Sequence, residues 1–263
     1  MPPQQLPESQ SGSLIRKRFA GRGLTWTPVW LFLPGRFVFG FIAQGVAAGV
    51  LAALGRADAW RAAAGWWMVW LTMTDILCLL ALRWLLRREG VSLGSLFGVA
   101  RADALRQLAW TPAYLLVLAP LALLPTFITR AFYGSAPSPM FTGIELPLGW
   151  ALYAVVVWPL VWAITEELVY LGYLLPRLEA ATGSTWLAVV IVAFFWGLQH
   201  FAMPFIADTT YLVSRVLAAT AASTGMTLVF VLWRRRLVSM IGVHYLLDLA
   251  TAIGFGLLPA LAR

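Results

Sequence analysis

The chain has 263 residues, of which 61% are hydrophobic and only 11% charged. A soluble domain carries about 25% charged residues, so this chain cannot cover its surface with polar groups and lipid must be its solvent. The net charge of +8 comes almost wholly from arginines gathered between apolar runs, a pattern of membrane orientation and not of nucleic-acid binding.

Taken in chain order, residues 1–25, "MPPQQLPESQSGSLIRKRFAGRGLT", have no apolar core. They predict a disordered basic cytoplasmic tail, not a cleavable signal peptide. Residues 26–263 predict one all-α domain, a polytopic transmembrane bundle. A spanning helix needs about 20 mostly apolar residues. Seven windows qualify, near 30–54, 65–86, 108–128, 147–176, 186–205, 212–233 and 237–258. The stretch 92–107 mixes apolar and charged positions near helical spacing and predicts a segment in the interface plane. Trp26, Trp30, Trp60, Trp66, Trp67, Trp70, Trp84, Trp110, Trp150, Trp186 and Trp233 mostly sit near predicted span ends, as an aromatic belt would.

Basic residues crowd the tail, the 83–106 connection and Arg234-Arg235-Arg236, whereas the 129–146 and 206–211 linkers carry almost no net charge. Placing the basic linkers inside puts the N-terminus in the cytoplasm and the C-terminus outside. The Arg-rich, Lys-poor, Ala/Gly/Leu-heavy composition points to a GC-rich bacterial genome and hence to the inner membrane. The single cysteine, Cys78, excludes an intramolecular disulfide and a cysteine-rich metal site.

The Asp, Glu and His residues inside predicted spans are Asp75, Glu166, Glu167, His200, His244 and Asp248. An acid near the centre of a membrane helix costs roughly 2.5–3.5 kcal/mol on insertion scales, so two adjacent ones need a reason. Spans four and five join through a turn near Gly183-Ser184. Glu166 lies about 17 positions before that turn and His200 about 16 after it, which places both about 25 Å from it at 1.5 Å per residue. His244 and Asp248, spaced i, i+4, share a helix face. Three spans can therefore aim acid/base groups into one buried space. Glu166 and Glu167, about 100° apart on a helix, cannot both face it squarely. Asp75 reads as interhelical glue. Arg36 and Arg215, near span ends, read as snorkelling or orienting cations.

"TEELVYLGYLLPRL", "FFWGLQH" and "VHYLLDL", in this order, resemble the EExxxR, FxxxH and HxxxN/D motifs of the CAAX-protease and bacteriocin-processing (abortive-infection) family. The resemblance covers about 145–255. It implies a membrane-buried glutamate endopeptidase that needs no metal or cofactor. By position, Glu166 with His200 would activate a water, His244 and Asp248 would stand where the family stabilises the oxyanion, and Glu167 would be a companion. The implied partners are a membrane-anchored protein or peptide, cut near the cytoplasmic leaflet, and the bilayer itself. The chain departs from the family where the motif arginine falls on Leu171 and where Trp196 takes the FxxxH aromatic position; position 248 is Asp, which the family tolerates but which can donate to an oxyanion only when protonated, so donation falls to His244. Without that arginine, Glu167 is expected to be protonated or paired with a residue of another helix.

Three other readings stay open. A metal-dependent membrane protease could use the histidines and carboxylates, although no HExxH is present. A non-enzymatic binding or immunity protein would keep the same residues for packing. A transporter fits least, since no internal repeat is visible.

Overall fold

The computed structural model describes residues 11–99 and 101–262, and the regular elements among them are all helical. Seven helical stretches among the described residues are long and apolar enough to cross a membrane. They are Gly35–Ala53, Trp67–Glu89, Asp103–Tyr133, Leu148–Thr182, Thr185–Ala202, Thr209–Leu232 and Leu237–Leu261, here called spans one to seven. The chain is an integral membrane protein by this measure. Large apolar side chains point outward along the bundle, among them Val50, Leu80, Leu116, Phe194 and Leu232. Such a surface is what a chain dissolved in lipid presents.

Prolines shape several of these stretches, because proline supplies no backbone N–H and is tolerated in a helix's first turn. Span one is preceded by a short helix, Thr27–Phe32, and begins just after Pro34. Span three restarts at Thr111 and Leu124, each followed by proline. Span four is assembled from Leu148–Val156, Trp158–Glu167, a π-helical turn at Leu168–Leu174 and Leu175–Thr182. The π turn begins directly after the two glutamates. Span seven has a second one, Ala252–Leu257, shortly beyond Asp248. Such wide turns re-aim side chains and are frequent at functional sites.

Three expectations are corrected. Of the tail expected to be disordered, residues 1–10 lie outside the described residues, but Gly12–Gly21 is a helix. Its Ile15 and Phe19 are buried, Phe19 stacks on Trp26, and Arg16 Nε donates to the Ala180 carbonyl at 2.6 Å. The apolar pair Ile15/Phe19, one turn apart, gives the segment a face to bury. The stretch 92–107 is not one interfacial helix. It contains a short 3₁₀ turn, Leu93–Phe97, and a helix, Arg101–Leu108, that runs into span three. Trp67 and Trp70, assigned to the belt, are buried, since Trp67 packs edge-on against Trp158 and Trp70 Nε1 donates to the Ala63 carbonyl. Trp60, Trp84, Trp150 and Trp186 are exposed as belt residues are.

Spans five and six pack closely at Gly197, where a Cβ atom would stand 2.4 Å from the Thr220 Cα. Only glycine allows that approach, and it fixes the turn of span five that carries Trp196, Gln199 and His200.

Candidate active site

Glu166 and Glu167 are both fully buried and face different neighbours, as their helical offset requires. Glu166 is surrounded by donors. Its Oε1 accepts from Gln199 Nε2 at 2.6 Å and from Arg36 at 3.2 Å, and its Oε2 accepts from Trp196 Nε1 at 2.7 Å. Burying a carboxylate is tolerable only with such compensation. Tyr170, in the π turn, stacks on Trp196 and donates its hydroxyl to Gln199 Oε1 at 3.1 Å, which holds both donors in place.

Arg36 is the principal correction to the sequence reading. It does not snorkel to the surface but is wholly buried. Its guanidinium pairs with Asp75 at 2.9 Å and with Glu166 at 3.2 Å, and its Nε donates to Gln199 Oε1 at 2.7 Å. It also lies over the Trp162 ring. The physical reason is the company it keeps: Asp75 of span two and Glu166 of span four stand beside the start of span one, and two buried acids offer better partners than distant headgroups. Asp75 does join helices as expected, with Arg36 as its partner.

Glu167 faces span seven. Its Oε1 lies 3.1 Å from His244 Nδ1, so it is paired to a residue of another helix. Leu171, where the motif arginine would stand, is buried in the core. The other ring nitrogen of His244 lies 3.7 Å from Glu166 Oε2 and 3.5 Å from Asp248 Oδ2. The imidazole is therefore ringed by three carboxylates, and a proton on either nitrogen has an oxygen facing it.

His200 makes no direct hydrogen bond to Glu166. Its Nδ1 lies 2.9 Å from the Trp196 carbonyl, which can only accept. That contact assigns the proton to Nδ1 in the neutral ring and leaves Nε2 as the acceptor. The ring packs edge-on to Trp162.

What unites these groups is a cavity of about 120 Å³ whose lining includes Glu166, Trp196, His200, Arg215, Ser223 and His244. Three of the five candidate residues, Glu166, His200 and His244, border it. Glu167 and Asp248 reach it only through His244. Among the described residues, no three His, Cys, Asp or Glu side chains are arranged to hold a metal ion.

Residues 148–250 match the family model described as type II CAAX prenyl endopeptidase Rce1-like. The segment is Rce1-like. The resemblance read from the three motifs therefore stands, and spans four to seven carry the match to a membrane protease family. Arg36 and Asp75 lie outside the matched residues, so the buried charge network ties the Rce1-like segment to the first two spans. No curated protein and no solved structure matches the chain.

Sequence reasoning missed Arg36, Gln199 and the indole donor of Trp196. Gln199 had a visible signal, an amide beside His200 inside an apolar run, but a search confined to acids and histidines passes over it.

Proposed function

We propose that the protein is an intramembrane endopeptidase that hydrolyses a peptide bond of a membrane-anchored protein or peptide. The observation that supports this best is the gathering of Glu166, His200 and His244, from three spans, around one cavity. A cavity of about 120 Å³ has room for water, whose share of liquid volume is about 30 Å³.

In this reading a water oxygen attacks the carbonyl carbon of the scissile amide. Glu166 and His200 activate that water together: the unengaged Nε2 of His200 takes its proton, and the Glu166 carboxylate on the same cavity wall stabilises the imidazolium that forms. His244 donates to the oxyanion as the carbonyl π bond opens, and a single such donor is typically worth about 2.7–4 kcal/mol. The C–N bond then breaks, and the proton held by His200 passes to the departing amine. Asp248, an acceptor when ionised, orients His244 from its own helix face, and Glu167 does the same from span four. Arg36, Gln199 and Trp196 hold the Glu166 carboxylate in one position. The basic linkers set the N-terminus in the cytoplasm of a bacterial inner membrane.

One observation favours a second reading, a non-enzymatic binding protein: both oxygens of Glu166 already have protein donors. Mapping new peptide termini by mass spectrometry decides between them, using membranes carrying wild-type protein or Glu166→Gln at matched expression. Termini that arise only with wild type are expected. Identical termini from both, with adequate coverage, would reject the endopeptidase and leave the binding protein.

A further inference from the structure

Arg215 is left unexplained by the proposed reaction. It sits on the second turn of span six and its guanidinium meets the Tyr211 hydroxyl one turn earlier, but its Nε is buried without a hydrogen-bond partner, and none of the ion pairs among the described residues involves it. A buried guanidinium donor without a partner is costly, and the cost is recovered when a ligand supplies the acceptor.

Its place in the fold says where that ligand would lie. Arg215 borders the cavity that holds Glu166, His200 and His244. It also borders a larger pocket of about 660 Å³, and the two share Pro125, Arg215 and Ala218. The larger pocket is built from the end of span three with its following loop, the start of span six and the end of span seven. Arg130 and the hydroxyls of Thr129, Ser138 and Ser214 are in its wall. Its lining holds no acidic residue. These span ends are the ones opposite the basic linkers at 83–88 and 234–236.

We propose that Arg215 is a substrate-binding residue that takes a carboxylate of the peptide, with the flanking residues of that peptide seated in the larger pocket beside the scissile bond. The inference rests on the endopeptidase reading. The guanidinium fork matches a carboxylate bidentately, and Arg130 adds a second positive charge in the same wall. A peptide carries carboxylates from two sources, its C-terminus and its Asp or Glu side chains, and the same site receives either. The substrate consequently enters from the face opposite the basic linkers and not from the cytoplasmic leaflet expected from sequence.

The test uses a peptide found by terminus mapping, made as free acid, as C-terminal amide, and with Asp or Glu exchanged for Asn or Gln. Wild type and Arg215→Gln in nanodiscs are compared for KM and kcat. Removing the recognised carboxylate, or Arg215, is expected to raise KM by about 10- to 100-fold with kcat changed far less. Sensitivity to amidation identifies the C-terminus as the source, and sensitivity to the Asn or Gln exchange identifies a side chain. Arg215→Lys should restore part of the loss, because the charge remains and the fork does not. If Arg215→Gln treats every peptide as wild type does, the carboxylate site is wrong while the endopeptidase stands. If wild type cleaves nothing, the endopeptidase fails, and a fluorescein-labelled apolar decapeptide, made as free acid and as amide, then decides the Arg215 site alone by anisotropy on the two proteins. Equal binding of both peptides by both proteins would overturn it.

Discussion

Replacing Arg36 with methionine removes the cation that two buried acids share. Asp75 and Glu166 are fully buried, 2.9 and 3.2 Å from its guanidinium. Breaking one partner out of a buried pair costs about 3–5 kcal/mol, because the remaining charge is stranded in low dielectric. Glu166 keeps Gln199 and Trp196 as donors, whereas no other partner is seen for Asp75, whose Oδ2 is already unsatisfied. Most of the loss therefore falls on Asp75. The expected destabilisation of Arg36→Met is about 3–5 kcal/mol, and Arg36→Met combined with Asp75→Leu should recover a large part of it by replacing the pair with apolar packing. Arg36→Lys should fall between, since an ammonium cannot reach Asp75, Glu166 and Gln199 together as the planar fork does. Reversible unfolding in mixed detergent micelles, with all four proteins titrated under the same conditions, reads these differences. The reasoning is refuted if Arg36→Met unfolds within about 1 kcal/mol of wild type, or if adding Asp75→Leu makes it worse.

A second buried pair is independent of the site. Arg177, wholly buried, makes two hydrogen bonds to Glu89, at 2.9 and 2.5 Å, and clamps the end of span two to span four. Glu89→Gln is expected to cost about 3–5 kcal/mol in the same unfolding titration, and a near-silent result would show that the pair is solvated. At the spans five and six crossing, Gly197→Ala would place its Cβ 2.4 Å from Thr220 Cα and 2.6 Å from Thr220 N. It is expected to lower stability by about 1–3 kcal/mol. Because the clash is with backbone, adding Thr220→Ala should not restore the melting temperature. A full rescue would mean that only the Thr220 side chain is displaced.

The seven spans were legible in sequence because each is a long apolar run, and in lipid a helix is the one local way to satisfy the backbone. The candidate site was legible for a related reason: an acid or histidine in such a run is conspicuous. Glu166 and His200 line one cavity, as expected of residues at equal distances from the turn of a tight antiparallel hairpin. Arg36 was placed near the start of span one, as it is, but hydropathy alone could not show which neighbours it meets there. Asp75 of span two and Glu166 of span four stand beside it, and they turn a cation expected to reach the surface into the centre of a charge network. The tail was misread for the opposite reason, because a ten-residue helix with two apolar contacts leaves little mark on composition.

The buried network also accounts for how the two glutamates are held without the motif arginine at Leu171. An arginine one turn beyond Glu167 would have paired within span four. Here the work is divided between helices: His244 of span seven meets Glu167, and Arg36 of span one meets Glu166. Pairing inside one helix fixes a side chain relative to its own span only. Pairing between helices makes the position of Glu166 depend on spans one, two and five together, through Arg36, Asp75, Gln199 and Trp196. The matched residues 148–250 therefore do not hold their glutamates in place alone, and the first two spans, which carry none of the three motifs, become part of what fixes the site.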